Sequence, residues 1–124
     1  MQSNAEYKFP KNEKLKSREE IREVFKSGKS VYYKGIRLLK KLNGLSYNRI
    51  AFTFPRGFGN AVERNRSRRL SREAYRHLRA KLEKGYDMVL LQNTYEKSSF
   101  AIRMDMMGEL FTKAALLKRE LPDD

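Results

Sequence analysis

The feature that most constrains this chain is a run of regularly spaced arginines between Arg64 and Arg79. Successive residues of an α-helix turn by about 100°. On that geometry the apolar positions gather within one arc of about 140°, namely Leu70, Ala74, Tyr75, Leu78 and Leu82. Cationic and amide side chains gather in a nearly opposed arc of about 100°, namely Asn65, Arg68, Arg69, Arg72, Arg76 and Arg79. The run therefore predicts an amphipathic helix with a packed face and a cationic strip.

The predicted strip belongs to a strong overall excess of positive charge. The chain carries 28 Lys and Arg against 15 Asp and Glu, a net charge of +13. Between Arg56 and Lys84 there are ten basic and three acidic residues, too few acids for intrahelical ion pairs to explain the arginines. Such a charge is usually offset by a polyanion, with nucleic acid the first candidate and an anionic membrane surface the second. Arginine suits nucleic acid because its planar guanidinium binds phosphate bidentately and stacks on bases.

Several classes of protein are disfavoured by what the sequence lacks. Without cysteine there is no disulfide or thiolate metal site. We see no signal peptide and no stretch of apolar residues long enough to cross a membrane, so we expect a cytoplasmic protein without a membrane partner. His77 is the only histidine, and the acids show no metal-ligand spacing. We expect His77 on a helix surface, no protein catalytic residues, no metal bound by the protein alone and no small-molecule substrate.

Capping and turn signals divide the chain into helices and strands within one domain, residues 1–124. Ser17 and Glu20 match a capping box that begins the first helix, and Gly28 supplies its stop. Asn43-Gly44 is the strongest short hairpin signal, since both positions tolerate positive φ. The predicted elements are a partly mobile arm at 1–16, a helix to Gly28, a strand Val31–Leu42 that Gly35 splits in one alternative, a return strand Tyr47–Phe54, a helix Ala61–Glu83 capped by Asn60, a central buried strand Met88–Leu91 and a helix Phe100–Glu120. This order predicts an α+β sandwich.

Apolar residues among basic neighbours form a second feature near the first helix and strand. They are Ile21, Phe25, Tyr32 and Tyr33. One interpretation is a groove where unpaired bases stack above a positively charged floor. The other is that most of these side chains belong to the core, and for Ile21, Phe25 and Tyr33 the two interpretations stand even.

The arginine run lies within a longer motif with a family resemblance. The segment Gly59-Asn60-Ala61-Val62-Glu63-Arg64-Asn65-Arg66-Ser67-Arg68-Arg69-Leu70-Ser71-Arg72-Glu73 strongly resembles the signature of the bacterial ribonuclease P protein component. Every fixed position of the pattern Gly-Asn-Ala-Val-x-Arg-Asn-x-x-Lys/Arg-Arg-x-x-Arg-Glu is met. The likeness extends to Phe25-Lys26-x-Gly28 at the end of the first helix and to Asp87 before the short strand.

The resemblance implies a fold and a function that spacing alone does not give. The implied fold is an α-β-β-β-α-β-α sandwich, similar to ribosomal protein S five domain two, with a left-handed β-α-β crossover that breaks the usual right-handed rule. The implied function is that of a protein subunit which joins a catalytic RNA to cleave precursor tRNA at its mature 5′ end. The RNA and its bound Mg²⁺ carry out the hydrolysis, so the protein alone is not expected to be catalytic.

The resemblance also assigns two sets of site residues. The surface facing the catalytic RNA comprises Arg64, Asn65, Arg66, Arg68, Arg69 and Arg72, to which we add Arg76 on the same helix and Arg56 before the motif. The cleft for the single-stranded 5′ leader comprises Ile21 and Phe25 from the first helix and Tyr33, Arg37 and Leu39 from the first strand.

Three positions depart from the family's usual pattern. Ile21 stands where a Phe is usual, so apolar packing rather than stacking is expected there. Arg56-Gly57 replaces two basic residues, and Gln92-Asn93 stands where a basic residue often follows the buried strand. Each lost charge should weaken phosphate contacts by about one counterion.

Two other functions are alternatives to that of a ribonuclease P subunit. One is another RNA-binding module on the same fold, such as a ribosomal or RNA-chaperone protein. The other is a self-sufficient nuclease, against which the lack of clustered acids argues.

Overall fold

A computed structural model describes residues 9–93 and 98–117 of the chain. The elements, in order, are α1 (Arg18–Ser27), β1 (Lys29–Tyr33), β2 (Ile36–Leu42), β3 (Arg49–Thr53), α2 (Ala61–Leu78), β4 (Tyr86–Gln92) and α3 (Phe100–Lys113), with short 3-10 turns at Lys11–Glu13 and Arg79–Lys81. The predicted α-β-β-β-α-β-α order is confirmed. No helix within these ranges is long and apolar enough to span a bilayer.

The four strands form one mixed sheet in the order β1-β2-β4-β3. β1 and β2 are antiparallel, and their hairpin turns at Lys34 and Gly35, with φ of 47° and 81°. Two successive positive φ values suit a tight two-residue hairpin. Gly35 therefore does split the predicted first strand. β3 and β4 are parallel neighbours joined through α2, so the arginine helix lies in a β-α-β unit.

The predicted hairpin at Asn43-Gly44 is wrong. The segment does turn, with Gly44 at φ 73°, but β4 lies between β2 and β3. The Asn43 side chain donates to the Tyr47 carbonyl at 3.2 Å and to Asp87 Oδ1 at 3.0 Å. The turn thus crosses the end of β4, and a local turn signal does not reveal a strand inserted from later in the chain.

The sheet buries its two faces against different helices. On one face, α2 and α3 cover the main core, which includes Ile36, Leu38, Ile50, Met88 and Leu90 from the strands. On the other face, α1 covers a smaller core of Leu15, Val24, Leu39, Ala51 and Val89. Because side chains alternate along a strand, a residue's register decides which of the two sides it serves.

The helix starts follow the predicted caps, whereas two helix ends come earlier than predicted. The Ser17 hydroxyl accepts from the Glu20 backbone N–H at 3.3 Å. The Asn60 side chain accepts from the Glu63 N–H at 2.8 Å, and the Glu63 carboxylate accepts from the Asn60 N–H at 3.0 Å. α2 ends at Leu78 and not at Glu83, because a 3-10 turn brings Leu82 into the core. α3 ends at Lys113, with Ala115 at φ 58°, and positions 118–124 lie outside the described residues.

Residues 9–16, predicted as part of a partly mobile arm, pack against the rest of the fold. Phe9 makes edge-to-face contacts with Phe52 and Tyr75, with ring centroids 6.2 and 5.3 Å apart. Leu15 is buried, and its N–H donates to the Ile50 carbonyl at 2.9 Å. Apolar anchors within a lysine-rich segment hold it against the sheet edge. Residues 1–8 lie outside the described residues.

Candidate RNA-binding surface

Helix α2 presents a buried side, an exposed crest and two half-buried flanks. Its buried side carries Ser67, Ser71, Ala74, Tyr75 and Leu78. Its exposed crest carries Asn65, Arg66 and Arg69. Its two flanks are half-buried; Arg64, Arg68 and Arg72 occupy one of them, towards β3, while Leu70, Glu73 and His77 border a pocket towards α3.

The packed side of α2 differs from the predicted one at two kinds of position. Leu70, expected in the core, is only half-buried and lines an open pocket. Ser67 and Ser71 are buried instead, each 2% exposed. Both hydroxyls contact Arg103 of α3, whose Nη1 donates to Ser71 Oγ at 2.7 Å and to Ser67 Oγ at 3.2 Å. A buried arginine thus replaces part of the expected apolar contact.

The first arginines of α2 are oriented by local contacts. Arg64 Nη1 donates to the Gly59 carbonyl at 2.6 Å and so braces the loop before the helix. Arg68 Nη1 donates to Asn65 Oδ1 at 3.2 Å. The Arg68 guanidinium also lies over the Phe54 ring, 5.1 Å from its centroid, in a cation–π contact. These contacts leave each guanidinium further donors for phosphate.

Positive charges are crowded in the middle of the strip, around Arg72. Burial and then the charges of Arg68, Arg76 and Arg69 lower the pKa of Arg72. Arg76 shares the Glu73 carboxylate with His77: Arg76 Nη1 is 3.1 Å and His77 Nε2 is 3.6 Å from its oxygens. An anion close to Arg72 would relieve this repulsion.

Arg79 does not belong to the strip, although the helical wheel placed it there. Its Nε and Nη2 donate to the Glu13 carboxylate at 2.9 and 2.5 Å. This pairing raises the pKa of Arg79 and ties the segment before α1 to the end of α2. The correction has a long-range cause, since Glu13 lies 66 residues earlier in the chain.

At two places this chain lacks a basic residue that the family usually has, and the structure explains both. Arg56 is exposed in the turn before α2, and Gly57 follows with φ 83°, a conformation that a side chain disfavours. Gln92 ends β4 almost fully buried, at 3% exposure. Its Oε1 accepts from Arg103 Nη1 at 3.3 Å and from the Ser67 hydroxyl. Gln92 therefore faces α2 and α3 and is not available to a phosphate.

A cleft lies between α1 and α2. It is a cavity of about 240 Å³ whose lining includes Ile21, Ala51 and Thr53 together with Arg68 and Arg72. Ile21 is half-buried and packs on the smaller core. Phe25, one helical turn later, is 42% exposed. The cleft thus combines an apolar wall with the guanidinium groups of α2.

The sheet floor beside α1 consists of two rows of cross-strand neighbours. Leu39, Val89 and Ala51 are register partners and lie buried beneath α1. The next row joins Tyr32, Arg37, Leu91 and Thr53. Tyr32 and Arg37 are exposed, and Leu91 and Thr53 are half-buried. The second row is therefore the accessible floor.

Two residues predicted for the leader cleft do not line its accessible surface. Leu39 is on the correct face but only 4% exposed, because α1 covers it. The placement of Tyr33 is wrong: it is paired with Ile36, packs on the main core, and has Lys113 Nζ of α3 5.7 Å from its ring centroid. Tyr33 thus faces α3, and Tyr32 lies on the α1 side. In a two-residue hairpin at Lys34 and Gly35, Arg37 pairs with Tyr32. Paired residues share a face of the sheet, so this register would have selected Tyr32.

An ion-paired arginine holds α1 in place over the sheet. Arg49 of β3 donates to both oxygens of Asp87 at 2.8 and 2.7 Å, and to Glu20 of α1 at 2.8 Å. The hydrogen bond to Asp87, opposed by burial and supported by Glu20, raises the pKa of Arg49. Asp87, one of the residues that carry the family resemblance, thus positions α1 through Arg49, and α1 forms one wall of the cleft.

Nothing in the described part of the chain assembles a metal site from three or more His, Asp or Glu side chains. His77 is half-exposed on α2, with its ring 5.3 Å from that of Phe100. The accessible side chains of this surface are cationic and aromatic, which suits binding of a polyanion with bases.

Comparisons with known proteins identify the family of the chain. The family model described as Ribonuclease P matches residues 9–115. A ribonuclease P protein component from Thermotoga maritima is 35% identical over 111 residues, covering 90% of this chain and 94% of the relative. One from Borrelia duttonii is 43% identical over 75 residues, covering 60% of this chain and 66% of the relative. The solved RNase P protein from Thermotoga maritima superimposes with a TM-score of 0.71 at 28% identity, over 82% of this chain and 96% of that one.

The α+β sandwich and its arginine helix define a protein of the RNA-binding class. The family match and the Thermotoga relative take this one step further. The chain belongs to the family of bacterial ribonuclease P protein subunits, and membership implies partnership with an RNA subunit.

Proposed function

We propose that this chain binds the catalytic RNA of ribonuclease P through α2 and holds the 5′ leader of precursor tRNA in the cleft beside α1, so that the holoenzyme matures tRNA 5′ ends in the cytoplasm. The observation that carries the proposal is the continuous surface from the crest of α2, through Arg68 and Arg72, to Ile21 of α1. One face of the molecule thus offers a strip suited to phosphates and an adjoining cleft with an apolar wall.

The strip is suited to the RNA backbone. Its exposed and half-buried guanidiniums are Arg64, Arg66, Arg68, Arg69, Arg72 and Arg76, with Asn65 among them and Arg56 in the preceding turn. Phosphate contacts release counterions and supply most of the sequence-independent affinity. Bidentate arginine contacts also fix orientation, which a subunit must provide if it is to hold a substrate against a catalytic RNA.

The cleft is suited to an unpaired strand. Tyr32 and Phe25 offer exposed aromatic surface, Ile21 offers apolar contact, and Arg37 lies beside Tyr32 on the same floor. Aromatic platforms with nearby cations bind single strands with little sequence preference. Such tolerance suits leaders of varied sequence.

Hydrolysis is assigned to the RNA and its Mg²⁺. Among the described residues, no three His, Asp or Glu side chains are grouped so that they could hold a metal ion. The roles of this chain's residues are to neutralise phosphates and to hold the leader in register with the cleavage site.

The deciding experiment is reconstitution with a bacterial ribonuclease P RNA at low Mg²⁺, where backbone repulsion is least screened. Addition of the protein should stimulate 5′ cleavage of precursor tRNA. Absence of stimulation contradicts the proposal. The protein alone with precursor tRNA and Mg²⁺ is the control, and cleavage there would show a self-sufficient nuclease instead.

A further inference from the structure

A second pocket lies on the opposite flank of α2 from the leader cleft. It is a cavity of about 470 Å³ lined by Arg66, Arg69, Leu70, Glu73, His77 and Phe100. Its volume is in the range of small-ligand sites, roughly 300–1,000 Å³. It lies between α2 and the start of α3 and shares no lining residue with the cleft beside α1.

The floor of this pocket is apolar and aromatic. Leu70 faces it instead of the core, and Phe100 keeps 37% of its surface exposed. The His77 and Phe100 rings meet edge to face, with centroids 5.3 Å apart. Planar, apolar walls of this kind favour an aromatic ring as the occupant.

The rim carries charges that select the kind of aromatic molecule. Arg66 and Arg69 lie on the exposed crest of α2, continuous with the strip proposed to bind RNA phosphates. Glu73 accepts from Arg76 at 3.1 Å, and a carboxylate has further lone pairs for an amino group. An aromatic ring with attached phosphates and an amino edge matches all three features.

We propose that this pocket receives an unpaired base of the catalytic RNA, stacked against Phe100 and Leu70, while Arg66 and Arg69 bind its flanking phosphates. The inference rests on the proposed function and extends it from phosphate contact to capture of one nucleotide. Shape recognition of this kind targets bases that are already splayed from a helix. It would add recognition of a base to the phosphate contacts, which fix orientation but carry no sequence information.

The test uses the absence of tryptophan from this chain. Phe100→Trp places a single indole at the pocket, and Ile102→Trp places one on the same helix at an exposed position that does not line it. On titration with ribonuclease P RNA, stacking should quench the emission of the Phe100→Trp protein and leave that of the Ile102→Trp protein nearly unchanged. A short RNA duplex without unpaired bases should quench neither.

RNA binding is measured in the same samples by filter retention, so that two failures are distinguishable. Retention without selective quenching of Phe100→Trp overturns the base-binding pocket and leaves the proposed function intact. No retention overturns both. Emission that changes with protein concentration before RNA is added indicates that a second copy of the chain occupies the pocket, which also overturns the proposal.

An affinity measurement supplies an independent arm. Phe100→Ala should weaken binding of ribonuclease P RNA roughly 5- to 150-fold, the range expected for one stacked base. Phe100→Tyr, which keeps the ring, should restore most of that loss, and Ile102→Ala should change affinity less than about twofold if it only loses exposed surface. Equal losses in Phe100→Ala and Phe100→Tyr would contradict stacking.

Discussion

At the scale of single residues, side-chain direction matters more than residue type. Tyr32 and Tyr33 are adjacent and chemically identical, yet their register partners are Arg37 and Ile36. Tyr32 therefore lies on the exposed floor beside α1, and Tyr33 packs towards α3. The pair offers a natural control in which the same substitution probes opposite faces.

Tyr32→Ala should weaken binding of precursor tRNA to the reconstituted holoenzyme by roughly 1–3 kcal/mol, the contribution of one base–aromatic stack. Binding of mature tRNA, which has no leader, should be unchanged. Stability should change by no more than about 0.5 kcal/mol, since the side chain is largely exposed. Equilibrium binding of the two RNAs gives the affinity difference, and urea unfolding gives the stability.

Tyr33→Ala should show the reverse pattern. Loss of a half-buried ring should cost about 1–3 kcal/mol of unfolding free energy, less than for a fully buried aromatic residue. The preference of the folded protein for precursor over mature tRNA should survive. A Tyr33→Ala protein that is fully stable but has lost this preference would show that the assigned sheet face is wrong.

At the scale of elements, α2 combines a packing role with a binding role. Arg68 and Arg72 border the cleft, and burial, followed by the crowding of positive charge, lowers the pKa of Arg72. An RNA phosphate at this point would bind with release of counterions. The helix itself begins at a reciprocal cap between Asn60 and Glu63.

Arg68→Ala and Arg72→Ala should each reduce the slope of log affinity against log salt by about 0.7–0.9, one counterion per phosphate contact. Binding of ribonuclease P RNA at four or more salt concentrations gives the slope. Lys113→Ala removes one charge at the end of α3 beside Tyr33, at a position that lines neither pocket bordering α2, and should leave the slope unchanged. Equal slopes in all three variants and the parent would remove α2 from the interface.

Asn60→Ala should lower the unfolding free energy by about 1 kcal/mol, the usual contribution of an N-cap side chain. Asn60→Ser keeps an oxygen that accepts from the helix backbone and should cost only a few tenths of that. Chemical denaturation of the three proteins measures the difference. An Asn60→Ala protein as stable as Asn60→Ser would show that the cap does not hold the helix.

At this scale, features that depend on local contacts are predicted from the sequence, whereas features that depend on long-range contacts are missed. The caps at Ser17 and Asn60 and the central strand depend on local patterns, and all are confirmed. The hairpin at Asn43-Gly44 failed because β4 pairs with β2 from 44 or more residues away. The packing of residues 9–16 is not predicted either, because their partners, Tyr75 and Arg79, lie far away in the sequence. Of the cleft, Ile21 and Arg37 were placed on the correct side, whereas Tyr33 needed the exact hairpin position.

At the scale of the whole molecule, polar side chains lock the layers that apolar packing brings together. Arg49 joins α1 to β3 and β4 through Glu20 and Asp87. Arg103 joins α3 to α2 and β4 through Ser67, Ser71 and Gln92. Both arginines lie behind the surfaces assigned to RNA, and each fixes one of the helices that form them. A chain with a net charge of +13 gains from such locks, because its self-repulsion opposes compaction.

The Arg103 network leads to the last prediction. Arg103 is 1% exposed, and its Nη2 also donates to Ser98 Oγ at 3.2 Å. Arg103→Met would fill much of the volume while leaving buried hydroxyl and amide groups without their donor, so each group left unsatisfied should cost about 1–3 kcal/mol. Adding Ser67→Ala and Ser71→Ala to Arg103→Met removes two of those groups and should recover part of the loss, a non-additive result expected for one network. Arg22→Met, an exposed arginine on α1, is the matched control and should stay within about 0.5 kcal/mol of the parent. Urea unfolding of the four proteins decides: if Arg103→Met is as stable as Arg22→Met, the buried arginine does not hold α2 against α3, and the position of the RNA-binding helix must depend on apolar packing alone.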